Sequence, residues 1–165
     1  YAYRPVENDR LNALAKYTYF FNVPTTEQVT SQNVVARFVQ RSHVAALDLT
    51  YDLTERWSLG GKYAYRLGEV SLDREDQDFF DNSAQLFILR TDLHFLEAWE
   101  ASIEGRLLDL TDLDEQRSGA LFVIHRYVGK HVKIGVGYNF TDFSEDLTDL
   151  SYTHQGAFFN IVGAL

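Results

Sequence analysis

The side chains able to do chemistry are mostly acids. Asp142, Glu145, Asp146 and Asp149 set four carboxylates within eight residues, with no basic residue among them. Hard divalent cations take oxygen ligands, so this is the place to expect Ca2+. The spacing lacks the alternating Asp/Asn/Gly order of a dedicated calcium loop, and a solvated acidic rim is the plainer reading. Glu69, Asp73, Glu75, Asp76, Asp78 and Asp81 form a second acidic group, and Asp112, Asp114 and Glu115 a third. No other cofactor is suggested. His43, His94, His125, His131 and His154 are scattered without metal-ligand spacing. His125 with Ser102 or Ser118 is an arithmetic pairing only, so no enzyme is expected.

A second set has mixed signs. Lys62, Arg66, Arg90, Asp92, Glu104 and Arg106 recur at even positions of neighbouring segments. Pointing one way, they would form a charge ladder, either as a polar interior or as a constriction that selects solutes by charge.

The segments that carry these residues have a period of two. In Trp57–Gly68, the residues Trp57, Leu59, Gly61, Tyr63, Tyr65 and Leu67 share one face. Ser58, Gly60, Lys62, Ala64, Arg66 and Gly68 share the other. That is strand alternation; a helical period would mix the two sets. The same test finds strands at Leu11–Phe21, His43–Leu53, Ser83–Phe95, Trp99–Leu107 and Val132–Thr141. Gly119–Val128 and Gly156–Leu165 alternate less cleanly.

Connections alternate in length. Thr54–Arg56, Leu96–Ala98 and Gly129–His131 are tight. Asn22–Ser42, Glu69–Asn82, Leu108–Ser118 and Asp142–Gln155 are long. Short turns on one rim and long loops on the other fit an outer-membrane barrel, with an apolar face to lipid and a polar lumen. Trp57 and Trp99, each just after a short turn, suit an interfacial girdle.

Composition sets the bounds. The 165 residues are 45% hydrophobic and 15% aromatic, with a net charge of -9 and no cysteine. Disulfides and thiolate sites are excluded, and the acidity argues against nucleic acid as a partner. No run of about 18 apolar residues exists to form a transmembrane helix.

The ending GVGYNFTDFSEDLTDLSYTHQGAFFNIVGAL resembles the C-terminal barrel region of large Gram-negative outer-membrane proteins. So do AYRPVENDRLNALAKYTYFF and LGGKYAYRLGEV. The resemblance and the alternation together give one expectation. Residues 1–165 are an all-β antiparallel transmembrane β-barrel with eight full strands, within a larger barrel of ten or more. Tyr1–Pro5 is the end of a further strand. The barrel sits in the cell outer membrane and anchors a larger surface or periplasmic polypeptide. The alternatives are a porin-like channel and an export conduit for an upstream passenger. Its partners would be lipid and lipopolysaccharide, the barrel-assembly machinery and the upstream part of the same polypeptide.

Overall fold

The computed structural model describes residues 1–6, 8–21, 39–71, 78–129, 131–147 and 155–163. The strands are β1 (Ala2–Tyr3), β2 (Leu11–Phe21), β3 (Val39–Thr54), β4 (Trp57–Ser71), β5 (Phe79–Asp81), β6 (Ala84–Leu96), β7 (Trp99–Leu110), β8 (Glu115–Val128), β9 (Val132–Asn139) and β10 (Gly156–Gly163). They pair antiparallel in the order β1-β2-β3-β4-β6-β7-β8-β9-β10. The short β5 lies beside the end of β4, with Val70 opposite Phe80.

Alternation explains the strands. β2 begins and ends where the period of two does, and β1 supplies the further strand expected at the start. The register keeps each face uniform. Leu49, Gly61, Leu89 and Gly105 form one lateral row, and Asp48, Lys62 and Ile88 begin the next. One loop expectation fails. Leu108–Ser118 is largely strand, and the reversal is a single 3-10 turn at Thr111–Leu113. Asp114 closes that turn at φ 52°, a left-handed conformation that Asp tolerates better than most residues. Most of Asn22–Ser42 lies outside the described residues, as do Asp73, Glu75, Asp76 and Asp149.

The expected transmembrane β-barrel is not formed. The sheet is open, with β1 at one edge and β10 at the other, and no ladder joins them. The physical reason is that alternation fixes the two faces and hairpins fix the order of strands. Closure is a separate requirement: the first and last strands must hydrogen-bond to each other. Nothing in a period of two specifies that step. The resemblance to outer-membrane barrel regions therefore does not extend to the architecture. The outer-membrane location, the anchoring role and the channel and export alternatives all rested on closure. So did the lipid, lipopolysaccharide and assembly-machinery partners. The open sheet removes their ground.

The core is also placed unexpectedly. Val44, Ala64, Ala84, Leu86, Ile88 and Leu108 are buried on the face that carries the charges, under Phe143 and Leu147. Those two come from residues 140–147, which follow β9 and cross the sheet. The crossing segment runs from β9 over β8, β7, β6, β4 and β3 toward β2, with Thr141 reaching the Ala120 carbonyl at one end and Asp146 reaching Lys16 at the other. Among the described residues the opposite face has no such cover. Leu47, Leu89, Ile103, Phe122, Val136, Phe159 and Ile161 all stand exposed on it.

Candidate functional site

The charged face is layered along the strands. At the long-loop end lies the apolar core under the crossing segment. The ladder residues occupy the middle. A cluster around Glu100 occupies the end next to the tight turns.

The middle layer contains most of the expected ladder, but its ion pairs run along strands instead of across them. Arg90 Nε lies 3.2 Å from Asp92 Oδ2, two residues on. Arg106 pairs with Glu104, also two residues away, and both are buried. The crossing segment completes the layer. Arg106 Nη2 donates to Glu145 Oε2 at 3.2 Å. Lys62 Nζ donates to the Glu145 carbonyl at 2.8 Å. Lys16 Nζ on β2 reaches Asp146 Oδ2 at 2.8 Å. Arg66 belongs elsewhere. It sits beside the apolar core, its Nε donating to Ser42 Oγ at 3.2 Å, and burial lowers its affinity for the proton. Beneath the segment, Asp48, Gly60, Lys62, Arg90, Glu104 and Glu145 line a small cavity of about 170 Å3.

The four carboxylates expected to hold Ca2+ do not gather. Glu145 and Asp146 turn to Arg106 and Lys16, Asp142 is exposed, and Asp149 lies outside the described residues. Among the described residues no three His, Asp or Glu side chains converge as a metal set. A carboxylate already paired with a cation would have to give that pair up to bind an ion.

The Glu100 cluster was not anticipated. His94, Glu100 and His125 lie opposite one another on β6, β7 and β8. Glu100 is buried. It accepts from Tyr127 Oη at 2.7 Å and from Lys133 Nζ, and lies 2.9 Å from His94 Nε2. Burial pushes its pKa up, but hydrogen bonds from Lys133 and Tyr127, with the charges of Lys133 and His94, outweigh that and hold it below the usual carboxylate value. Tyr127 is pushed up to about 12, by burial first and then by its bond to Glu100. His125 is lowered by burial and by Lys133, against an opposing pull from Glu100. It faces Asn160 of β10, with Nδ2 and Nε2 3.4 Å apart. The approach of these two side chains depends on Gly135, where a Cβ would strike Asn160 Oδ1 and the imidazole.

The cluster's chemistry is that of a lock. Glu100 is charged and saturated, so it is a poor general base. Tyr127 holds its proton far above neutral pH. Ser102 donates to Asp92, and no Ser–His hydrogen bond forms among the described residues. The signal in the sequence was faint: Glu100, His125 and Lys133 each sit in a different strand's inward set, and only the register brings them together.

No known protein family matches the chain, and no curated protein or solved structure matches it. Any functional reading therefore stands on this geometry.

Proposed function

We propose that the chain is a non-catalytic assembly sheet that works by docking its apolar face against a broad apolar counter-surface. One observation carries the reading. Large apolar side chains stand exposed on the same face of β2, β3, β4, β6, β7, β8, β9 and β10, among them Leu89 at 63%, Ile103 at 54%, Val136 at 61% and Ile161 at 65%. Monomeric proteins rarely leave contiguous apolar patches of more than a few hundred Å2 in water. Each fully buried Leu or Ile on such a face would contribute about 1.5–3 kcal/mol. The charged face supports the same reading from the other side. Its ion pairs are made within the chain, along the strands and with the crossing segment, so the charged face is already engaged.

Sedimentation of the purified chain, with an apolar dye as a second readout, tests this. The native chain should associate and bind the dye, and the double variant Leu89→Glu/Ile103→Glu should do markedly less of both. A native chain that remains monomeric and dye-free would overturn the reading.

A further inference from the structure

We propose that the outer edge of β10 pairs with β10 of a second copy of this chain, antiparallel and centred on Asn160. This goes beyond the docking of the apolar face and stands whatever covers that face.

The edge is open. β10 is the last strand of the sheet, paired to β9 along Gly156–Gly163. Among the described residues nothing pairs with its other side. An exposed strand edge presents a row of unpaired N–H and C=O groups and is a template for another strand. Natural edges are usually blunted by charge, proline, bulges or brevity. The opposite edge has two of these devices. β1 is two residues long, and the part of β2 beyond it carries Lys16. The sequence of β10, GAFFNIVG, has neither charge nor proline, and its register to β9 runs without a bulge.

The strand is complementary to itself in one register. A two-fold axis perpendicular to the sheet keeps the apolar faces of both copies on the same side, so residues of like parity must meet. Centring on Asn160 sets Phe159 opposite Ile161, Phe158 opposite Val162 and Ala157 opposite Gly163. The two Asn160 residues then lie opposite each other at the axis, with each amide turned toward His125 of its own sheet. Every cross-strand pair joins like with like, and apolar pairs of this kind stabilise a sheet. Centring on Phe159 would set Asn160 against Phe158; centring on Ile161 would set it against Val162. Either shift sets the one polar residue of the strand opposite an apolar one. A two-fold interface uses the same patch on both partners and closes at two copies, so a dimer is the expected product.

The absence of cysteine makes the test clean. Single-cysteine variants of the full chain are oxidised at low concentration, and the covalent dimer is quantified. Asn160→Cys should cross-link, whereas Ala157→Cys should not, since its two copies lie about 20 Å apart at ~3.3 Å per residue. A mixture of Ala157→Cys and Gly163→Cys should give the mixed dimer at least tenfold above either alone. A mixture of Phe159→Cys with Ile161→Cys covers the case in which Asn160→Cys fails to fold. Failure of both Asn160→Cys and this mixture would overturn the pairing. Equal cross-linking at every position would overturn it too, as random aggregation. Preferential cross-linking of Asn160→Cys to Thr18→Cys would also overturn it, in favour of head-to-tail stacking of β10 on β2.

Discussion

Glu100 has more partners than any other carboxylate described in the sheet, and its surroundings make it a sensor of both acid and base. Its pKa lies below the ordinary 4.5, so its contribution to stability is full above that value and is lost as pH falls through the depressed one. His125, lowered from 6.5, also contributes above its ordinary value and loses that contribution on acidification. Tyr127 works the other way. Its pKa is raised from 10.0 to about 12, so its contribution is complete below pH 10 and is lost as pH climbs toward 12. Stability should therefore hold level from about pH 6.5 to 10 and decline on both sides. Denaturant midpoints across this range, for the native chain and for Glu100→Gln, check it. The substitution should flatten the descent below pH 4.5 and move the alkaline descent back toward 10. Identical profiles for the two proteins would refute the assignment.

Among the elements, the crossing segment is held by different forces at different points. Thr141, Phe143 and Leu147 are buried, whereas Glu145 and Asp146 bind cations of the sheet. Removing an apolar anchor leaves a cavity that the sheet cannot collapse to fill. Leu147→Ala and Phe143→Ala should each cost about 2–5 kcal/mol. Lys16→Met removes an exposed ion pair and should cost less than about 1 kcal/mol. Equilibrium unfolding in urea ranks the three, and a Lys16 variant as damaging as Leu147→Ala would contradict this division. Gly119→Ala belongs with the severe group, because a Cβ there would strike the Thr141 side chain.

These elements also mark how far the sequence could be read. Trp57–Gly68 declared its two faces at once, because its alternation is local and strict. Leu86, Ile88 and Leu108 lie on the charged side of β6 and β7, where local pattern makes them exceptions. Their partners, Phe143 and Leu147, are hidden between acids in FTDFSEDLTDL. That phrase reads as an acidic loop until its distant contacts are known. The ladder residues were readable as one face, but Arg66 could not be separated from the rest, since only packing decides which layer of a face is apolar.

For the molecule as a whole, the two faces should respond in opposite ways to charge. Leu89→Lys replaces an exposed side chain on the uncovered face and should leave the isolated chain's stability within about 0.5 kcal/mol, as for most surface changes. It should nevertheless weaken association. Ile88→Lys, one residue earlier, buries a cation under the crossing segment and should unfold the chain or cost more than about 4 kcal/mol. Circular dichroism melts of the two variants, with light scattering for association, separate stability from assembly. Similar melting losses for both would mean that the faces are not distinct.

The crossing segment has a kinetic consequence. Lys16 and Asp146 are separated by 130 positions in the chain, and the floor on which Phe143 and Leu147 rest is assembled from β3, β4, β6 and β7. That floor does not exist until several hairpins have zipped together. The segment can only dock last, after the transition state for building the sheet, and it should be first to leave. Leu147→Ala should then accelerate unfolding and leave the folding rate nearly unchanged, giving a φ-value near zero. Ala64, in the middle of an early hairpin, should give a higher value on substitution by Gly. In that order of events the apolar face is complete before the charged face is sealed, so a newly made chain presents that face while its own core is still open.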